Sequence, residues 1–219
     1  MIGLDFLAVL QDWPLLLQGL ITTAAFTAVA AVLGLCLGIA CAWMRLDGAG
    51  LFRPLVVAYV ELIRNTPFIV QLFFIFFGLP SLGVRLSPES ASVLAIVINL
   101  GAYAAEIVRA GLQATPRGQI EAGTSLALSR AQIFFHVVLP PALARVWPAL
   151  TSQIVIVMLG SAVCGQIAAQ ELSYFANLIQ SRNFRAFEAF IIAALLYLGL
   201  AMALRALLTA IGRRWLLTS

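Results

Sequence analysis

Charged positions divide this chain into apolar runs with the lengths of helices. The first, from Trp13 to Met44, carries no charge at all; the others extend from about Pro54 to Pro80, Ser90 to Leu112, Val146 to Gln170 and Phe187 to Ile211. Crossing roughly 30 Å of hydrocarbon takes about 20 apolar residues in a helix, so each run is long enough. Only helices and closed barrels satisfy the backbone in lipid, and the runs do not have the form of the short alternating strands of a barrel. The pattern predicts an all-α integral membrane protein with five transmembrane helices, at about 14–44, 55–80, 90–112, 146–170 and 187–211, in a single domain over residues 1–219.

The interval 113–145 is too long for a bare connection, because structureless loops of that length are uncommon. Thr115-Pro116 reads as an N-cap followed by proline at the first helical position, opening a short helix through Gln119, Ile120, Glu121 and Ala122. Ser129-Arg130-Ala131-Gln132 fits the S-x-x-Q capping box, and Ile133, Phe134, Val137 and Val138 supply an apolar face. Pro140 and Pro141 are then expected to stop this second helix. Two readings of the helix-turn-helix stand side by side: a docking element for another protein, or an amphipathic helix resting on lipid headgroups. His136, the only histidine, reads as a packing or interface residue on it.

Composition agrees with a chain solvated by lipid: 63% of residues are apolar and 10% charged, where soluble chains carry about 25% charged residues. All 13 positive charges are arginine. The absence of lysine excludes a G-x-x-x-x-G-K-[ST] nucleotide loop, so any use of ATP runs through a partner. A net charge of +4 invites a nucleic-acid reading, but the arginines are scattered singly and none is expected as a partner. They report topology instead. With the N-terminus outside, only Arg85, Arg182 and Arg185 lie outside, and the positive-inside rule favours N-out/C-in with the interval 113–145 in the cytoplasm. Cys36, Cys41 and Cys164 lie in apolar runs without C-x-x-C spacing, as small fillers, and no metal site is expected. The start Met1-Ile2-Gly3-Leu4-Asp5 has no basic segment and no cleavage site follows it, so the first apolar run is read as a retained span.

Ionisable groups inside a bilayer cost about 2.5 to 3.5 kcal/mol on insertion scales and each calls for a partner. Glu61 with Arg64 and Glu106 with Arg109 are spaced i, i+3, so each pair can meet on one helix face, either as neutralising pairs near the headgroups or as lining of an inner gate. Pro67 removes a backbone hydrogen bond and can bend the second span. Deeper lie Gln71, Asn99, Tyr103 and the small pair Gly160-Ser161, read either as interhelical hydrogen-bonding groups or, with Arg64, as a polar substrate pathway. Gly34 and Gly38, four residues apart, permit close helix contact. Arg85, Glu89, Glu171, Arg182 and Arg185 at the outer ends are candidates for receiving an extracytoplasmic protein, beside the simpler reading of a solvated loop.

Three ordered motifs carry a family resemblance. Glu121-Ala122-Gly123, followed by Ala127, Val137 and Leu139-Pro140, resembles the EAA motif of the membrane subunits of bacterial ATP-binding-cassette (ABC) importers. Arg64-Asn65-Thr66-Pro67-Phe68-Ile69-Val70-Gln71-Leu72-Phe73 resembles the R-G-T-P-L-L-V-Q-L-F segment, and Ala102-Tyr103-Ala104-Ala105-Glu106-Ile107-Val108-Arg109-Ala110-Gly111 the A-Y-x-x-E-x-x-R-x-G segment, of polar amino acid permeases of the histidine and glutamine uptake type. The resemblance implies the five-span type I importer permease fold in a bacterial inner membrane, and a periplasmic solute-binding protein that delivers a polar amino acid. It further implies a second permease subunit and a separate ATPase dimer that holds the ATP and Mg, this chain having no cofactor and not being an enzyme. It assigns Arg117, Gly118, Gln119, Glu121, Ala122, Gly123, Leu126 and Ala127 to a coupling helix that docks on the ATPase.

Departures qualify the resemblance. Gly123 stands for the second alanine of the motif, and Ala127 for its glycine; a left-handed turn there would cost alanine about 1 kcal/mol, so a differently built turn is an open alternative. Leu159-Gly160-Ser161-Ala162-Val163 replaces the family's K-D-T-S-L, removing two charged groups from the fourth span and favouring a heterodimer whose other subunit holds the fuller polar set. An ion-coupled secondary transporter or channel is the competing class. It accounts for the spans but leaves the capped helix-turn-helix without a role, and its paired repeats are not detectable. A structural or assembly protein has no need of central polar groups.

Overall fold

A computed structural model of the chain describes residues 4–47 and 52–215; the expectation for Met1, Ile2 and Gly3 lies outside the described residues. After a short α1 (Leu7–Leu10), the charge-free run forms one helix, α2 (Trp13–Asp47). The second run is broken: α3 (Phe52–Arg64) and α4 (Phe68–Phe73), the latter extended by a π turn and a 3-10 turn to Leu82, meet at 113°. The third run is α5 (Pro88–Gln113), with Ser87 accepting from the Ser90 N–H as N-cap and Pro88 at the first position, where its missing N–H costs nothing. Then follow α6 (Arg117–Ser125), the single turn α7 (Arg130–Gln132), α8 (Leu139–Gly160), α9 (Leu172–Asn183) and α10 (Ala186–Trp215). Among the described residues four helices are long and apolar enough to cross a membrane, and a fifth span is completed if the bent α3–α4 pair is one.

The core is built around α5, against which α2, α3, α4 and α8 all pack. In its most apolar stretch 61% of α5 is buried, against 11% for α10, so α5 is the axis and α10 the periphery. Helices α2 and α5 run parallel and almost touch: a Cβ on Gly34 would sit 3.0 Å from Leu100, and one on Gly38 would sit 2.6 Å from the Ala104 Cβ. The spacing of these two glycines therefore does serve close helix contact. Outward, Ile21, Val32, Phe74, Leu195 and Met202 are among large apolar side chains more than half exposed, the inverse of a soluble surface and the right one for lipid.

Two expectations for the interval 113–145 need correction. Pro140 and Pro141 do not stop a helix: α7 passes through a π turn (Ile133–Val138) straight into α8, and Arg130–Ile167 is one continuous candidate span. The prolines withhold two N–H donors within this continuous run, and the wider π turn immediately before them absorbs the resulting change in hydrogen-bond register. Pro116, rather than Thr115, is the N-cap of α6, with extended backbone and no side-chain capping bond. The capping box itself forms as read, with the Ser129 N–H donating to Gln132 Oε1 at 2.8 Å and the Gln132 N–H to Ser129 Oγ at 3.3 Å.

Candidate functional site

The break in the second run organises a set of amides. Pro67 lacks the N–H that would continue α3 by bonding the Ile63 carbonyl. The Gln71 side chain replaces it: Nε2 donates to Ile63 O at 2.7 Å and to Thr66 O and Oγ1, both at 3.0 Å. Its Oε1 then accepts from Asn99 Nδ2 at 3.0 Å, tying the break to α5. Both amides are buried, at 7% and 9% exposure. Gln71 is thus a staple across the break, and it borders an apolar groove on a different side from the polar cavity.

That cavity, of about 410 Å³, is lined by Thr66, Pro67, Phe68, Asn99, Tyr103, Gln153, Ile156, Val157 and Gly160. Of the six residues expected along a polar pathway it brings together Asn99, Tyr103 and Gly160. Arg64 stands just behind, its guanidinium 5.6 Å from the centre of the Tyr103 ring. Ser161 does not line it: where α8 tightens into a 3-10 turn the hydroxyl donates to Met158 O at 2.6 Å, and the residue is 1% exposed. Gln153, two turns before Gly160 on α8, is a lining amide that motif reading missed. Its only sequence signal was that spacing. Among the described residues the lining carries no ionised side chain.

At one end of the bundle a single carboxylate collects three arginines. Glu106 pairs with Arg109 at 2.7 Å, as the i, i+3 spacing predicts, but also with Arg45 from the end of α2 and, at 3.8 Å, with Arg64 from the end of α3. The expected Glu61–Arg64 pair does not form. Arg64 turns to Glu106 and Tyr103, while Glu61 accepts from Asn65 Nδ2 at 3.1 Å. Three helices are thereby fastened just before α6, and Arg145 of α8 adds a bond to the Ala114 carbonyl at 2.9 Å.

Helix α6 projects from this end. Arg117, Gly118, Gln119, Glu121 and Ala122 are exposed, as are Ile120 and Leu126 at 42% and 75%. Only Gly123 is buried, where a Cβ would press to 3.0 Å from Ile133. The helix ends in a Schellman turn: the Leu128 N–H bonds Gly123 O and the Ala127 N–H bonds Thr124 O, with Ala127 left-handed at φ 56°. The left-handed geometry is therefore kept despite the alanine. His136 is exposed on the adjoining π turn, its Nδ1 3.1 Å from Gln132 O.

At the opposite end Glu171 is fully buried, which removes it from any surface that could receive another protein. As N-cap of α9 it accepts the Ser173 and Tyr174 N–H groups at 3.0 and 2.8 Å, the Ser173 hydroxyl, and the Tyr197 hydroxyl of α10 at 2.6 Å. The neighbouring Leu172 N–H bonds Thr23 of α2 at 3.2 Å. Arg185 is engaged with Glu188 at 3.4 Å.

Long apolar helices, one broken span beside a polar cavity and a short exposed helix at one end are the architecture of a multi-pass membrane protein. Comparison with known proteins gives the family. Residues 34–217 match the model of the binding-protein-dependent transport system inner membrane component, and the chain belongs to that family of importer permeases. It is 34% identical over 197 residues to the probable glutamine ABC transporter permease protein GlnM of Bacillus subtilis, covering 89% of this chain and 90% of that one. It is likewise 34% identical over 212 residues to the glutamine transport system permease protein GlnP of Escherichia coli, covering 96% and 97%. The crystal structure of an amino acid ABC transporter superposes with a TM-score of 0.86 at 35% identity, covering 97% of this chain and all of that one.

Proposed function

We propose that this chain forms one half of the membrane pathway of an ABC importer for a polar amino acid, with α6 as the helix on which a separate ATPase pushes. The observation that carries the coupling role is the exposure of α6: a helix fixed at both ends, joined to the span α8 through a Schellman turn and a π turn, with Ile120 and Leu126 uncovered. Burying such apolar groups within a polar rim formed by Arg117, Gln119 and Glu121 would hold the helix in a groove, so that closure of the ATPase moves it as a rigid body. The arginines at this end, among them Arg45, Arg109, Arg117 and Arg145, support placing it in the cytoplasm of a bacterial inner membrane, with the N-terminus outside. The ATP and Mg then belong to the ATPase, and a periplasmic binding protein supplies the solute at the α9 end.

The cavity between the α3–α4 break, α5 and α8 is the proposed passage, and Asn99, Tyr103, Gln153 and Gly160 are its contacts. An uncharged lining favours an amino acid with a neutral side chain at this site, and it favours a partner permease of different sequence to provide charged groups. Both parts are tested in proteoliposomes holding the complex copurified with its ATPase, binding protein and any second permease. A screen of uptake over the twenty labelled amino acids should identify at least one substrate. Glu121→Arg should leave the chain folded while abolishing ATPase copurification or uncoupling hydrolysis from uptake, and normal coupled uptake by that variant would contradict the docking role.

A further inference from the structure

At the α6 end three guanidinium groups share the single carboxylate of Glu106, so the cluster holds a surplus of two positive charges among the described residues. Glu106 spends its oxygens on Arg45 and on the fork of Arg109, whose Nε and Nη2 donate to Oε2 at 3.1 and 2.7 Å. Arg64 comes last. Its Nη1 stands 3.8 Å from Oε2, beyond hydrogen-bond reach, and its other contact is the face of the Tyr103 ring. None of its N–H donors has an acceptor among the described residues, and the side chain is 37% exposed. Glu61, one turn back on α3, is turned to Asn65 instead.

Arg45 and Arg64 close the last turns of α2 and α3, and Arg109 lies one turn before the end of α5. The negative ends of these helices make the cations tolerable there, but they take none of the donors of Arg64. None of the three arginines lines the polar cavity, so the cluster is separate from the solute passage. Guanidinium forks match the oxygens of carboxylates and phosphates alike. A carboxylate already occupies this centre; the tetrahedral oxygens of a phosphate suit what is left, because they can bridge two forks that face a common point. We infer that Arg45, Arg64 and Arg109 form a site for a phosphate group, with Glu106 as the resident anion against which it competes. Two sources share this chemistry: the headgroup of an anionic phospholipid, met where the helices leave hydrocarbon, and free inorganic phosphate.

The test titrates the complete complex, in phosphatidylcholine nanodiscs and at constant ionic strength, with inorganic phosphate, reading binding by phosphorus NMR for the wild type, Arg64→Gln and Glu106→Gln. Phosphate held at the nucleotide sites of the ATPase is common to all three and cancels in the comparison. Losing charge-assisted hydrogen bonds from Arg64 should weaken the site about tenfold. Glu106→Gln removes the competing anion and should tighten it by about the same factor, even while lowering the thermal midpoint. An ion-pair cluster with a structural role alone gives the opposite result, a looser helix end with no gain in phosphate affinity. A second arm replaces part of the phosphatidylcholine with phosphatidylglycerol. If the headgroup is the occupant, phosphate affinity falls further in the wild type than in Arg64→Gln, through competition; if free phosphate is the occupant, both change alike. Either result supports the site and names its source. Equal phosphate affinity of the wild type and Arg64→Gln in both membranes, or a Glu106→Gln variant that binds phosphate no tighter than the wild type, overturns the assignment. None of these outcomes depends on which solute is imported.

Discussion

Glu106 and Glu171 stand at opposite ends of the same bundle and solve the problem of a buried carboxylate in opposite ways. Glu171 is closed: fully buried and satisfied by hydroxyls and backbone N–H groups from α9 and α10. Glu106 retains 15% side-chain exposure and is satisfied by guanidinium groups carried on α2, α3 and α5. Neutral donors on short tethers define one geometry. Several long cationic side chains competing for one carboxylate leave room for exchange, and a surplus of positive charge remains when any pair opens. The α9 end is thus built as a fixed anchor and the α6 end as a joint.

The largest effect should come from breaking the anchor. Glu171→Ala removes the acceptor of the Tyr197 hydroxyl and of the Ser173 and Tyr174 N–H groups in a dry site, while the Ser173 hydroxyl keeps the Ala162 carbonyl at 2.6 Å; the loss is on the order of 3 kcal/mol or more, seen as a lowered thermal midpoint and poor recovery of the purified complex. Glu106→Gln should cost less, about 1 to 2 kcal/mol given the partial exposure of the pairs, and its main signature should be raised ATP hydrolysis in the absence of binding protein. Equal thermal destabilisation by the two variants would erase the distinction between anchor and joint. The smallest effect should be a gain: Ala127→Gly relieves the left-handed alanine and should stabilise the α6 turn by about 0.5 to 1 kcal/mol, read as a small rise in thermal midpoint with coupled uptake retained.

What was legible from sequence follows from what is local. Charge-free length placed the long helices, the Ser129–Gln132 box formed as its spacing requires, and Glu106–Arg109 met at i, i+3. Ala127 occupies the motif's glycine position and takes the left-handed conformation that position demands. The rest depended on distant partners. Spacing cannot see Arg45 reaching Glu106 across 61 residues, and for that reason it misassigned Arg64 to Glu61. It read two prolines as a stop because a π turn leaves no compositional mark. Pro67 was recognised as a bend, but the donor it withholds is restored by Gln71; of the two readings open for that amide, interhelical hydrogen-bonding group or pathway lining, the structure shows the first. Gln153, lying in a motif-free stretch of α8, became visible only when α3, α5 and α8 were placed together.

In the proposed cycle this chain is a passive half-channel moved through α6 by a separate ATPase. Uptake into proteoliposomes of the complete complex, measured with ATP supplied on the α6 side before and after a protonophore collapses the proton gradient, tests it most directly. Uptake that requires ATP and persists after collapse is the predicted result. Uptake without ATP, or uptake abolished by the protonophore while ATP is abundant, would contradict it.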